Sequence, residues 1–344
     1  MNTRSQSCSA GFSLVEMVIS SSLLALMVYA VSSMALSGGQ AQEYARRLNR
    51  ATEITQDIVD RIRLEVVSSV RVFGNDAEGA ANLAILNLDG APTPINQRRL
   101  PTVSPMLSLR RDTSGNQITG NSLFFAKLAW SDKFVCTSGN DYMVDVYRWV
   151  YYYLTNEDGG PVAGNPIGLN IVRVVSEPMA DANGIDRITN VTDKAQVLNH
   201  LNDGTPDANG VAHAKCDLVW VRGAMPSVVG TLRQIRDLAG TLVTIPEAGR
   251  ADPWRIERSE STIRGLLSYR HHSVATNYSQ ASFGVGRYGI VSNTNGGFPH
   301  GFEVQVVGPS SARQIMLHLV VASTHRTGHW AWSDVQVAVD ARDL

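Results

Sequence analysis

At 344 residues, with 44% hydrophobic side chains, the chain carries enough apolar material for a sizeable core, which excludes disorder as its default state. Lys and Arg number 30 against 31 Asp and Glu, and the net charge of -1 excludes the electrostatic footprint of a general nucleic-acid binder, leaving only local basic patches. Three cysteines, Cys8, Cys136 and Cys216, are too few and too scattered for a zinc ribbon or a disulfide-dense scaffold.

The first element is the run from Phe12 to Leu36, FSLVEMVISSSLLALMVYAVSSMAL, with one charge, Glu16. As a helix it spans about 37 Å at 1.5 Å per residue, enough for a hydrocarbon core of ~30 Å with some tilt. It is too long for the apolar region of a secretory signal, although Ser33-Met34-Ala35 offers a small-x-small cleavage site. The polar MNTRSQS before Cys8 argues against lipidation there. An acid inside a membrane segment costs on the order of a few kcal/mol near the helix centre, so Glu16 calls for a partner or a function; the plainer alternative is an acid that snorkels to the membrane edge.

The residues ahead of Gly11 are polar or small with one positive charge, Arg4, and Phe12 then opens the apolar run. On Gly11-Phe12-Ser13-Leu14-Val15-Glu16 and the adjoining span, the chain resembles the type IV prepilin and type II secretion pseudopilin family. The family's signature is a short basic leader ending in Gly, then Phe-x-x-x-Glu at the head of a long hydrophobic helix. The resemblance covers about the first 36 residues. It implies that a dedicated membrane aspartic peptidase cuts between Gly11 and Phe12, that the new Phe12 amine is N-methylated, and that Glu16 offers its carboxylate to the Phe12 amine of a neighbouring subunit. Such a pair attracts far more strongly in apolar surroundings than in water.

Past the span, Gln40 to Val72 holds no proline, and Leu48, Ala51, Thr55, Ile58, Ile62 and Val66 recur at steps of three and four. Charges fill the opposite face, with Glu43-Arg47 and Asp57-Arg61 at i,i+4 spacing. The pattern predicts an amphipathic helix through Phe73, capped by Gly74, with a bend or local melt at Gly38-Gly39. Joined to the span, it makes one helix from Phe12 to Phe73, about 93 Å long. Residues 12–36 form its membrane half and 37–73 an amphipathic half lying on its own head; a coiled coil is the alternative for the second half.

Residues 74–344 read as a β-rich head with long loops. Strands are expected over Ser122–Val135, Asp145–Thr155, Leu169–Val175, Asp217–Arg222, Phe302–Val307, Gln314–Val321 and Val335–Val339. Their pairing is expected to be antiparallel, because only Val228–Leu242 offers a helix to carry a parallel crossover. Segments 75–121 and 176–213, and much of 244–300, read as loops. The twice-occurring DANG, at Asp181 and Asp207, reads as turn chemistry.

Asp203, Asp207 and Asn209 in NDGTPDANG are weak candidates for calcium, lacking EF-hand spacing and a closing glutamate. Gly284 to Gly289 matches GxGxxG without the strand, turn and helix that would give it meaning, and HExxH, GxSxG and Walker A sequences do not occur. His271-His272, His325 and His329 have no acidic partner at metal-site spacing. Tyr147, Trp149, Tyr151 and Tyr153 alternate along one strand, and the expected packing of that row is against the stem, with glycan or partner binding as the alternative. With Arg4 cytoplasmic, everything after about Leu36 lies in an oxidising compartment, where Cys136 and Cys216 at strand ends are candidates for a disulfide.

The resulting expectation is an α+β, pilin-like chain: a membrane-spanning stem helix carrying a mainly antiparallel head in the periplasm, anchored once in the inner membrane with its N-terminus cytoplasmic. The expected function is that of a minor pilin or pseudopilin, a structural subunit and not an enzyme, which primes, caps or enters a type IV pilus or secretion pseudopilus. Its expected partners are other pilin subunits, the prepilin peptidase, the assembly platform and the bilayer, with no nucleic acid and no required cofactor. The second reading is a periplasmic binding or enzymatic domain on an uncleaved signal anchor. A third, a tip adhesin or DNA-uptake subunit, draws no support from the charge balance.

Overall fold

A computed structural model describes residues 13–86, 88, 93–96, 98–105, 118–155, 161–162, 165–166, 168–176, 178–213, 215–216, 218–220, 234–236, 242–244, 254–255, 272–276, 301–323 and 330–343. In chain order they form α1 (Leu14–Val67), β1 (Ser69–Phe73), α2 (Ala77–Ile85), β2 (Leu123–Val135), β3 (Asp141–Thr155), β4 (Pro161–Val162), β5 (Asn165–Pro166), β6 (Gly168–Val175) and β7 (Met179–Asp181). There follow α3 (Ala182–Asp186), α4 (Val191–Asp203), β8 (Leu218–Trp220), β9 (Gln234–Arg236), β10 (Leu242–Thr244), β11 (Trp254–Arg255), β12 (His272–Ala275), β13 (Phe302–Val307), β14 (Arg313–Ser323) and β15 (Ala331–Ala341). The chain divides into two compact units, Met1–Asn49 and Arg50–Leu344.

The described part of the first unit is the N-terminal portion of α1. Gly38 and Gly39 are helical, so the helix does not melt there; each glycine costs about 1 kcal/mol relative to Ala, which a long proline-free helix absorbs.

In the second unit, α1 stops at Val67, short of the expected Phe73. The amide and hydroxyl of Ser68 both donate to the Glu65 carbonyl, at 3.2 and 2.8 Å, and close the last turn. Val70, Val72 and Phe73 then alternate as β-formers, and Ser69–Phe73 pairs with β2 as an edge strand. The main sheet runs β1-β2-β3-β6-β12-β14-β13, with β15 on β14, β11 on β6, β7 on β3 and β8 on β7. The β2–β3 hairpin is its spine, in register from Leu123↔Tyr152 to Val135↔Asp141 with an irregularity between Leu128 and Trp130.

The sheet is curled, and its first strand is tied to the chain end that follows β15. Ser69 donates its hydroxyl to the Arg342 carbonyl at 3.0 Å. The Asp343 carboxylate accepts from Arg71 at 3.3 Å, from the Val72 amide at 3.4 Å and from Arg313 at 2.9 Å. One carboxylate thus satisfies an edge-strand amide and pairs with two guanidinium groups, which spares that edge from facing water unpaired.

Side chains alternate across the sheet. One face packs on α1: Ile58, Val59, Ile62 and Val66 meet Leu123, Phe125, Val150, Tyr152, Ile171, Val304, Leu317 and Val339 in a single core. Ala51 and Thr55 on the same stripe are fully buried. The other face carries Phe73, Phe124, Trp149, Tyr151, Tyr153 and Trp220, with Leu86 and Leu100 from the segments laid over it. The aromatic row of β3 is therefore buried as expected, but on the face turned away from α1, because the register gives the stem Val150, Tyr152 and Leu154 instead.

Segments read as loops contain three helices. Asp76, Asp181 and Asn190 cap α2, α3 and α4, Asp76 accepting one backbone N–H just inside its helix and the other two accepting two each. With α3 and α4 in the crossover, β7 and β8 pair in parallel, Met179↔Leu218, against the expectation of antiparallel pairs. Within Val228–Leu242, the stretch expected to be helical, Gln234–Arg236 is a strand that pairs with β10.

Candidate membrane and assembly segment

At the head of α1, two hydrogen bonds cross between Ser13 and Glu16. The Ser13 amide donates to Glu16 Oε2 at 2.9 Å, and the Glu16 amide donates to Ser13 Oγ at 3.2 Å. The Ser13 carbonyl accepts from the Met17 amide at 3.1 Å, which makes Ser13 the N-cap and Glu16 the third helical residue. This reciprocal arrangement is a capping box, and its S-x-x-E pattern was readable in the sequence but absent from the sequence reading. Gly11 and Phe12, the expected cleavage and methylation positions, lie outside the described residues.

Beyond the cap, Leu14 to Leu36 present large apolar side chains to the exterior: Leu14 is 80% exposed, Met27 68% and Met34 73%. Serines interrupt the run, and three of their hydroxyls are satisfied within the helix: Ser21 and Ser22 donate to the Val18 carbonyl at 3.0 and 2.8 Å, and Ser33 donates to the Ala30 carbonyl at 2.9 Å. A hydroxyl bonded to the preceding turn presents little unmet polarity to an apolar surrounding. This stretch of α1 is long and apolar enough to cross a membrane.

At the other end of α1 stands another glutamate, Glu65, whose role sequence reasoning missed. Glu65 accepts from Arg173 Nε at 2.9 Å and from Arg173 Nη2 at 2.5 Å, from Lys127 Nζ at 2.5 Å and from the Tyr152 hydroxyl at 2.6 Å. Burial pushes its carboxyl up, but the bonds from Arg173, Lys127 and Tyr152 outweigh burial and hold its pKa at about 2. The same burial, together with Glu65, pushes the Tyr152 phenol above its usual range. The signal was parity. Lys127 follows Leu123 and Phe125 on the stem face of β2, and Arg173 stands between Ile171 and Val175 on that face of β6, so each cation announced a buried partner.

A third cluster, also missed, lies on β13, β14 and β15. His318 is 3% exposed and has Nδ1 2.5 Å from Glu303 Oε2 and Nε2 2.7 Å from Asp334 Oδ1. Burial disfavours the charged ring, yet the bonds that it donates to the Asp334 and Glu303 carboxylates outweigh burial and raise the pKa to about 9.

The remaining sequence candidates fall into structural roles. Asp203 is the last residue of α4, and Gly204, at φ 65, turns the chain away from it. Asp207 Oδ1 accepts the amides of Asn209 and Val211 at 2.9 and 3.0 Å, and its Oδ2 accepts that of Val135 at 3.1 Å; the Val211 bond is the leading cause of its lowered pKa. Among the described residues no cluster of His, Cys, Asp and Glu is placed to hold a metal ion. Cys136 and Cys216 are buried in one apolar cluster with Val197 and Leu201 of α4. Cys136 is a free thiol whose Sγ lies 3.7 Å from the Asp193 carbonyl, whereas the Cys216 amide donates to the Leu201 carbonyl at 2.8 Å. Asp193 and Leu201 are about 12 Å apart along the helix axis, so the expected bridge is not formed here. His272 is buried; His271, His325, His329 and the Gly284–Gly289 motif lie outside the described residues.

No family model matches this sequence, and neither the curated proteins nor the solved structures yield a match to it.

Proposed function

We propose that the chain is a minor pilin or pseudopilin, anchored in the inner membrane by the first part of α1 with its sheet-bearing unit in the periplasm, and assembled into a type IV pilus or secretion pseudopilus. The observation that carries this reading is an exposed apolar stretch of α1, residues 14–36, whose one acid, Glu16, stands near its head, four residues after Phe12. An acid at that depth is expensive in lipid, and a neighbouring subunit's amine is a partner able to offset the expense. The role is structural: Phe12 is the methylated N-terminus, Glu16 the assembly residue, and the partners are other subunits, the prepilin peptidase and the assembly platform. Intact-mass analysis of the membrane-expressed chain tests it. The expected mature protein lacks Met1–Gly11 and begins at methylated Phe12. A chain that keeps its leader in a cell with an active prepilin peptidase overturns the reading in favour of an uncleaved anchor.

A further inference from the structure

The two ends of the curled sheet are finished differently. At one end β1 is short, and the Asp343 carboxylate accepts its Val72 amide at 3.4 Å. At the other end β15 pairs with β14 from Arg313↔Ala341 to Ser323↔Ala331 without a bulge, and among the described residues no strand pairs with its second side. Parity decides which backbone groups face that side. The Val320 amide of β14 donates to the Gly301 carbonyl at 2.6 Å, so even-numbered residues of β14 turn their backbone groups toward β13 and odd-numbered ones toward β15. The odd residues of β15 answer them, and Trp332, Asp334, Gln336, Ala338 and Asp340 turn their N–H and C=O groups outward. Arg342, next in that series, agrees: its carbonyl accepts the Ser69 hydroxyl of β1 at 3.0 Å. The row from Trp332 to Asp340 is about 27 Å long at the usual strand rise.

Natural edge strands are blunted by proline, lysine, bulges, short length or a covering segment. Of such devices β15, AWSDVQVAVDA, has only two charges, both acidic, and Asp334, Gln336, Ala338 and Asp340 are exposed. His318 holds Asp334 at 2.7 Å and Gln314 holds Asp340 at 3.2 Å, which fixes both carboxylates on the strand. On the opposite face Val335 and Val337 are only partly buried against the core that contains α1, which leaves apolar surface beside the open row. An edge with acids on one face and valines on the other disfavours a second acidic edge and suits a strand of complementary pattern.

We infer that the β15 edge receives an extended segment of a partner polypeptide as a further strand of the sheet. The segment carries apolar residues over Val335 and Val337, and lysine or arginine at the alternate positions beside Asp334 and Asp340. Backbone hydrogen bonds to the outward row supply the affinity, and the alternation of apolar and basic side chains supplies the selectivity.

A labelled peptide of alternating valine and lysine, about as long as the open row, tests the inference by fluorescence anisotropy on the full-length chain in non-ionic detergent. Binding is expected, with amide hydrogen exchange slowed in the segment that carries β15. The fully N-methylated peptide keeps the side chains and charge but loses every ladder donor, and is expected to bind at least about tenfold more weakly. Ala338→Pro removes an outward amide and leaves the β14–β15 bonds in place, so it is expected to weaken binding about tenfold while the urea unfolding midpoint is retained. Asp340→Lys is expected to weaken the lysine peptide about threefold and to strengthen binding of a valine–glutamate peptide by a similar factor. Absence of binding at millimolar peptide overturns the inference. Equal affinity for the N-methylated peptide also overturns it, since the contact is then one of charge alone, and so does an Ala338→Pro chain that folds and binds unchanged. If Ala338→Pro does not fold, the N-methylated peptide on the unmodified chain decides.

Discussion

Glu16 and Glu65 are two carboxylates on one helix, and their surroundings differ in kind. Glu65 accepts four hydrogen bonds from Arg173, Lys127 and Tyr152 and is buried against a sheet. Among the described residues Glu16 accepts one, from the backbone of its own helix start, and it stands on an exposed segment. A saturated carboxylate fixes structure, because its whole acceptor capacity is used inside the fold. An under-used one in an apolar stretch retains capacity for a donor from elsewhere. Position in the helix alone would not separate them; the count of donors does.

The comparison breaks most visibly at Glu65. Removing one partner of a buried ionic network leaves the rest without compensation, and Glu65→Ala leaves Arg173, Lys127 and Tyr152 facing an apolar core. The expected loss is about 3–5 kcal/mol in urea unfolding of the detergent-solubilised chain. A loss below about 1 kcal/mol would mean that Glu65 does not dock the helix on the sheet.

The dependence on pH follows from two shifts of opposite sign. Glu65 is held at about 2, below its ordinary 4.5, so its contribution is complete above 4.5 and is lost as the pH falls toward 2. His318 is raised to about 9 from 6.5, so its contribution is complete below 6.5 and is lost as the pH rises through 9. Each is on the order of 3 kcal/mol. The unfolding midpoint should therefore form a plateau between roughly pH 4.5 and 6.5 and decline on both sides. Glu65→Gln should flatten the acid limb and His318→Gln the alkaline one; an unaltered limb in either variant would assign that limb to other groups.

Much of the sheet was legible because its strands are long and β-branched: the expected Phe302–Val307 is β13 to the residue, and β2, β6 and β14 lie within two residues of expectation. The helices of the head were not, since Asp76, Asp181 and Asn190 are residues of turns as much as of N-caps, and a short helix adds little periodicity to tell the two apart. Missing α4 also hid the parallel pair, because a crossover needs something to cross with. The end of α1 was misplaced because Val66, Val70 and Val72 continue an apolar spacing that a helix and a strand share over so few residues. Closure of the sheet through Asp343 could not be read at all, for it joins residues some 270 positions apart by side chains of ordinary surface type. The Ser13–Glu16 pair was fully legible and was overlooked because Glu16 already had an explanation.

The smallest expected effect is on the other glutamate. Glu16→Ala removes one acceptor of the Ser13 amide at an exposed helix start and no contact among the buried residues of the sheet-bearing unit. Its urea unfolding midpoint, followed by the fluorescence of the buried Trp149 and Trp220, should match that of the unmodified chain within about 0.5 kcal/mol, the range of substitutions away from packed features. A larger loss would mean that the head of α1 is coupled to the stability of the second unit, and the division between a carboxylate for folding and a carboxylate for assembly would fail. An unchanged midpoint together with lowered incorporation into filaments would place the two functions on separate ends of one helix. Measuring Glu65→Ala beside it, in the same detergent, guards against a midpoint that is insensitive to either change.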